Sequence, residues 1–96
     1  MKTFRRDKLR RLCEAGRLVL VGSYHFDDMY GASRTNGGIP VQMAPAESHE
    51  RQEGICYMQP WDFKTQSGCC YENPNGSVTL IVHSNCNYTF RMVAAH

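Results

Sequence analysis

Long hydrophobic runs are missing from this sequence of 96 residues. The longest uninterrupted aliphatic stretch, residues 18–21, is far shorter than the roughly 20 apolar residues that a membrane-spanning helix needs. The basic residues near the N-terminus lead into no apolar segment, so we expect no secretory signal peptide. These absences predict a cytoplasmic protein that is unprocessed at its N-terminus and has no membrane partner.

Catalytic and cofactor-binding motifs are absent as well. The sequence has no glycine-rich phosphate loop, no His-Glu-x-x-His, no Gly-x-Ser-x-Gly and no Cys-x-x-Cys pair. Nucleotide-dependent, zinc-protease and ordinary hydrolase mechanisms therefore lose their usual sequence support. We predict no cofactor and no metal, and the interpretation leans away from an enzyme.

Cysteine is present in an odd number, so the five residues cannot all pair. Without a secretory signal, free thiols in a reducing compartment are the expected state. Adjacent strand residues point to opposite faces, so only one of Cys69 and Cys70 belongs in the core. Structural roles are favoured for all of the thiols: Cys13, Cys56, Cys69, Cys70 and Cys86.

Positive charge is concentrated at the N-terminus. Residues 1–17 hold seven basic side chains against Asp7 and Glu14, which gives +5; the whole chain carries +2, so the remainder carries −3. This asymmetry raises the hypothesis that residues 2–17 bind nucleic acid, with Tyr30 or Trp61 stacking on bases. Against it, the rest of the chain is acidic and shows no recognition helix or zinc finger.

The pattern of residues 4–15 predicts one amphipathic helix. Thr3 is the expected N-cap, and Gly16 stands where a C-terminal glycine belongs. The apolar stripe is narrow, so the helix should lie on a sheet with its arginines in solvent. Residues 18–24 should form a central strand, while Pro40 demotes residues 39–43 to an edge strand.

Two consecutive hairpins are predicted over residues 69–94. Pro74 and Gly76 suit the first turn, and we expect Cys69 and Tyr71 on the core face because the alternative register buries Glu72. In the second hairpin a three-residue loop, 85–87, should oppose Val82 to Phe90. Six side chains would then share the dry face: Val78, Leu80, Val82, Tyr88, Phe90 and Met92.

These elements make the expected fold a single α+β domain over residues 1–96. An N-terminal amphipathic helix packs on a curved, mostly antiparallel sheet of five or six short strands. Residues 60–63 should form a short helical turn with Pro60 at its start. Trp61 in that turn is either a core plug or an interface anchor, and the core role is favoured because small domains usually bury a lone tryptophan.

The best local constellation for chemistry is His25 with Asp27 and Asp28. A histidine and a carboxylate at a strand end can act as general base and orienter, or bind a metal with His49 or His83. A turn in which a carboxylate caps backbone amides explains the same residues and is favoured. Ser48, His49 and Glu50 are adjacent and cannot face one another as a catalytic triad must, so a solvated loop is expected there.

We therefore predict a small non-catalytic intracellular binding or regulatory protein, such as an inhibitor or adaptor of a larger protein. Nucleic-acid binding is the second hypothesis and a small enzyme using His25 the third; a homo-oligomer is compatible with the sequence. The predicted binding surface is the 25–38 loop, the basic helix or the Trp61 region. Its candidate residues are Arg5, Arg6, Arg10, Arg11, Tyr30, Arg34 and Trp61.

Overall fold

The computed structural model describes residues 2–23, 38–64, 70–83 and 86–94. Within these ranges it contains one α-helix, α1 (Arg6–Glu14), and two short 3-10 helices, Ser48–Glu50 and Pro60–Phe63. The same ranges contain seven strands: β1 (Lys2–Thr3), β2 (Leu18–Ser23), β3 (Ile39–Met43), β4 (Cys56–Met58), β5 (Cys70–Glu72), β6 (Val78–His83) and β7 (Cys86–Met92).

The strands form one sheet in the order β1-β5-β6-β7-β2-β3-β4. Neighbouring strands run antiparallel except β3 and β4, which are parallel. The predicted α+β class with a mostly antiparallel sheet is confirmed. Its strand count is corrected from five or six to seven over the described ranges, and the predicted curvature stays a prediction. No helix in those ranges is long and apolar enough to cross a membrane.

The helix α1 begins later than predicted, at Arg6. Thr3 does not cap it, because Thr3 lies in β1 opposite Tyr71 and the backbone N–H of Phe4 donates to the Cys70 carbonyl. The predicted C-terminal glycine is confirmed: Gly16 has a φ of +70°. Its N–H donates to the Cys13 carbonyl and the next N–H to the Leu12 carbonyl, the two bonds of a Schellman motif.

The first hairpin has the predicted turn but the other register. The Asn73 N–H donates to the Ser77 carbonyl at 2.7 Å and Gly76 takes a φ of +88°, so the loop is Pro74–Gly76. This closure pairs Cys70 with Leu80, and Cys70 enters the core while Cys69 lies outside the described residues. The prediction that the register places Cys69 and Tyr71 on the core face was therefore wrong. The reason given for it, burial of Glu72, does not apply, since Glu72 is only half-buried at the strand end, opposite Lys2.

The second hairpin has the predicted faces with a shifted pairing. Val78, not Val82, pairs with Phe90, and Cys86 belongs to β7 rather than to a three-residue loop. The partner of Phe90 has moved from Val82 to Val78 along β6. Because this is an even number of residues, the same side chains still face the core. A register irregularity lies between Ile81 and His83, after which His83 pairs with Cys86. Met92 is the exception among the predicted core residues, since it is 36% exposed.

Strand β3 is not an edge strand. It lies between β2 and β4, which corrects the prediction made from Pro40. Pairing with β4 begins only at Val41, so the missing N–H of Pro40 falls outside that ladder. The predicted central position of β2 is confirmed, because β2 lies between β7 and β3.

The core lies on one face of the sheet, between the strands and a cover made by α1, Phe4 and the second 3-10 helix. Side chains of alternate strand residues face this layer, as the period of a strand requires. Leu9 and Cys13 of α1 and Phe63 of the 3-10 helix close it from above. The other buried apolar residues are Phe4, Leu18, Leu20, Ile39, Val41, Cys56, Met58, Cys70, Val78, Leu80, Val82 and Phe90.

A hydroxyl and amide network crosses the opposite face of the sheet. Thr79, only 7% exposed, has its Oγ1 3.1 Å from Thr89 Oγ1 and accepts a hydrogen bond of 2.9 Å from Asn73 Nδ2. The same Nδ2 donates to Ser77 Oγ, which donates to Asn75 Oδ1. These bonds satisfy the buried Thr79 hydroxyl, which would otherwise oppose folding.

Candidate functional site

Trp61 is the largest apolar side chain left exposed in the described part of the chain, with 67% of its surface accessible. The interpretation of Trp61 as a core plug was therefore wrong. In the helix Pro60–Phe63 it is Phe63, 3% exposed, that enters the core. The two aromatic residues lie two positions apart, so anchoring Phe63 leaves Trp61 directed away from the core.

The backbone that carries Trp61 is fixed on both sides. The Gln59 N–H donates to Asp62 Oδ2 at 2.8 Å, and the Asp62 N–H donates back to the Gln59 carbonyl at 3.0 Å. Pro60 begins the turn with a dihedral already suited to it, and the Lys64 N–H closes it on the Trp61 carbonyl at 3.1 Å. Trp61 is thus presented to solvent from an ordered turn.

The second 3-10 helix packs against α1, so the turn that carries Trp61 adjoins the basic helix. The arginines of α1 were predicted to lie in solvent, and Arg11 is exposed, as is Arg5 just before the helix. Arg6 and Arg10 are half-buried, which corrects the prediction for those two side chains. Lys8 Nζ stands 5.1 Å from the centre of the Phe4 ring, a cation–π contact. We call α1 with Arg5 and Trp61 the helix–Trp surface.

Acidic side chains on α1 balance part of its positive charge. Asp7 Oδ2 is 3.3 Å from an Arg5 nitrogen and 3.8 Å from an Arg11 nitrogen, and Glu14 pairs with Arg10 at 3.4 Å. Desolvation opposes ionisation of Asp7, but the Arg5 and Arg11 charges and backbone hydrogen bonds together hold its pKa below the ordinary value. One carboxylate shared by two guanidinium groups leaves a surplus of positive charge.

The predicted catalytic constellation stays a prediction, because its residues are not among those that the structure describes. His25, Asp27 and Asp28 lie outside the described residues, as do Tyr30 and Arg34. Ser48–Glu50 forms an exposed 3-10 helix, in agreement with the predicted solvated connection. Among the described residues, no group of three His, Cys, Asp or Glu side chains is placed to hold a metal ion.

Two shallow depressions flank the C-terminal end of α1. One is lined by Cys13, Glu14 and Ala15 of the helix end together with Gln42 and Met43 of β3. The other continues past Gly16 along an apolar lining: Leu18, Val19, Pro40, Val41 and Val93. Among the described residues of these two linings, Glu14 is the one charged side chain, so those residues do not include the paired acid and base that general catalysis requires.

The thiols of Cys13, Cys56 and Cys70 are buried and not disulfide-bonded, as predicted. Burial, with a smaller contribution from Glu14, raises the pKa of Cys13 to about 12, against an ordinary value of 9.0. Burial also raises the pKa of Cys70 to about 11, although the Arg6 charge opposes it. A nucleophilic cysteine needs a lowered pKa, so the raised pKa values of Cys13 and Cys70 favour the predicted structural role for these two thiols.

We expect Cys13 and Cys70 to resist alkylation in the folded protein. With a pKa near 12, Cys13 holds roughly a thousandfold less thiolate than an ordinary cysteine at neutral pH. Iodoacetamide labelling followed by peptide mass spectrometry should show both sites reacting at least about a hundredfold faster in urea than in buffer. Equal rates in the two conditions would contradict the assignment.

The raised pKa values of Cys13 and Cys70 also predict that the folded protein loses stability at alkaline pH. A thiol whose folded-state pKa is raised stabilises the fold fully below the unfolded pKa of 9.0, and that stability is lost as the pH rises towards 11 to 12.

No protein-family model, curated protein or solved structure matches this chain. The class that the fold defines is a small α+β domain with one helix on a mostly antiparallel sheet.

Proposed function

We propose that this protein is a non-catalytic binding module that recognises another protein through the helix–Trp surface. The observation that carries the proposal is the exposed indole of Trp61, held on an ordered turn beside the basic helix. Tryptophan and arginine are the residues most enriched among binding hot spots. An exposed tryptophan on a rigid turn loses little conformational entropy when it docks.

The module would act as an inhibitor or adaptor of a larger protein in the cytoplasm. The reduced, buried thiols support a reducing compartment, and the helix–Trp surface supports the partner class. The surplus of positive charge on α1 also favours a second candidate, nucleic-acid binding, in which Trp61 would stack on a base. The two candidates differ in their partner, and one experiment separates them.

The test uses the wild-type protein and two variants as affinity baits in lysate from the source cell. Trp61→Ala removes the proposed anchor, while Met92→Ala removes the other large exposed apolar side chain of the described residues and serves as the matched control. Eluates are analysed by mass spectrometry and assayed for nucleic acid. Circular dichroism should show that both variants keep the fold, since neither side chain belongs to the core.

We expect wild type and Met92→Ala to retain the same protein partner and Trp61→Ala to lose it. With the purified partner, the loss should be about 2 kcal/mol or more, roughly a thirtyfold weaker affinity. A partner retained equally by Trp61→Ala would refute the proposal. Recovery of nucleic acid alone, released by salt, would support the second candidate instead.

A further inference from the structure

The helix–Trp surface combines one large exposed apolar side chain, Trp61, with exposed cations on and beside α1. Arg5 and Arg11 have side chains 78% and 72% exposed, and their shared ion pairs with Asp7 are long, at 3.3 and 3.8 Å. Such surface pairs contribute little stability, so they are readily exchanged for a better partner. Lys8, exposed on the same helix, adds a third cation.

We propose that the surface recognised by this protein is an apolar pocket with an acidic rim, on a partner protein. Trp61 fills the pocket, and carboxylates of the rim pair with Arg5, Lys8 and Arg11. The inference rests on the proposed function and gives the chemistry of its partner. Charge complementarity is the argument: residues 1–17 carry a net +5, while the rest of the chain carries the opposite sign.

The arrangement of charges on α1 favours a protein rim over a phosphate backbone. Asp7 lies between Arg5 and Arg11 in their ion pairs, Glu14 lies beside Arg10, and Asp62 follows Trp61 directly. A uniformly negative polymer would meet each of these carboxylates and be repelled by it. A folded protein can place acidic side chains opposite the cations and donors or neutral groups opposite the carboxylates, which discriminates between partners.

The cations and the indole of the helix–Trp surface are expected to act on different rates, the cations on association and the indole on dissociation. The cations steer the partner over distances of about the Debye length, roughly 10 Å at 0.1 M salt, so their removal should slow association. The indole, once buried, slows dissociation.

The test exploits the fact that Trp61 is the one tryptophan of the chain, so intrinsic tryptophan fluorescence reports on this site alone. Three probes are titrated into the full-length protein: a peptide of Leu, Phe and Glu, the same peptide with Lys in place of Glu, and an oligothymidylate. A blue shift of the emission measures burial of the indole. Each titration is repeated at about 50 mM and about 500 mM salt, where charge screening differs strongly.

We expect the acidic peptide to bind with a blue shift and to weaken at high salt, while the Lys peptide does not bind. The triple variant Arg5→Gln, Lys8→Gln, Arg11→Gln should bind the acidic peptide about tenfold more weakly, since exposed pairs contribute up to about 1 kcal/mol each. Arg11→Gln should weaken binding, whereas Arg51→Gln should not. Arg51 is the matched control, an exposed arginine stacked on Tyr57 outside this surface.

Four results would overturn the inference: no binding of the acidic peptide, equal binding of the Lys peptide, an unchanged affinity of the triple variant, or tighter binding of the oligothymidylate. The acidic rim can be refuted while the proposed function stands. If the protein partner captured by the wild type is lost with Trp61→Ala but retained by the triple variant, the binding module stands and the acidic rim does not.

Discussion

Replacing Phe90 by alanine is expected to lower the free energy of unfolding by about 3–5 kcal/mol. Phe90 is completely buried near the middle of the sheet, on β7 opposite Val78 of β6 and Leu20 of β2. Its removal takes away apolar contacts and leaves a cavity that the two flanking strands cannot close. A domain of this size has a total stability of about 5–14 kcal/mol, so a large part of it would be lost.

Met92→Ala is the matched control for Phe90→Ala. Met92 lies two residues further along β7, with the same face parity, but is 36% exposed. Its truncation should cost less than about 1 kcal/mol. Urea unfolding is best followed by circular dichroism, because the exposed indole of Trp61 senses the core weakly. Similar losses for the two variants would contradict the description of the core.

Replacing Gly38 by alanine should cost about 2–4 kcal/mol. Gly38 has a φ of +79°, where an L side chain is strained by about 1–2 kcal/mol. A Cβ at this position would also lie 2.9 Å from the Leu20 carbonyl oxygen and 3.1 Å from two Val19 side-chain atoms. The backbone oxygen cannot move without disturbing β2, so the steric cost adds to the strain.

The variant Gly54→Ala separates the cost of backbone strain from the cost of the steric contact with β2. Gly54 has the same φ of +79°, but a Cβ there would meet nothing within 4 Å. Gly54→Ala should therefore show the conformational strain alone, about 1–2 kcal/mol. The difference between the two variants in urea denaturation measures the close approach of residue 38 to β2. Equal losses would mean that this approach is relaxed in solution.

Face assignment could be predicted from the sequence more securely than strand pairing. Val78, Leu80 and Val82 occupy alternate positions of β6, while the other face carries Thr79, Ile81 and His83, so the wholly apolar face is predicted as the buried one regardless of partner. The pairing of Val78 with Phe90 could not be read from the same pattern, because every even shift preserves the faces. The pairing also contains an irregularity between Ile81 and His83, which alternation does not encode.

Predictions made from neighbouring residues alone were also wrong at positions whose role depends on distant strands. Thr3 looks like a helix cap until β5, almost seventy residues later, draws it into the sheet. Glu72 appeared too costly to face the core, yet it lies at a strand end beside Lys2 and an open depression. Gly16 and Gly76 were predicted correctly because their roles are set by adjacent residues alone.

The candidate site was only partly predictable. The basic helix was identified from composition, but its proximity to Trp61 arises from tertiary packing of Phe63 into the core. The spacing of Trp61 and Phe63 was an available signal: in a short turn only one of two aromatic residues at that separation faces inward. Sequence alone gave no reason to choose Phe63, and the packing of α1 on the same layer decided it.

The ladder between β2 and β7 joins segments from opposite ends of the chain, and the ladder between β1 and β5 does the same. During synthesis, β2 leaves the ribosome long before β7 exists, so the middle of the sheet cannot assemble until almost the whole chain has been translated. Such non-local pairing places folding in the slower range of small domains, from milliseconds to seconds. Until β7 has been made, β2 (Leu18–Ser23) therefore lacks the strand that pairs with one of its two edges.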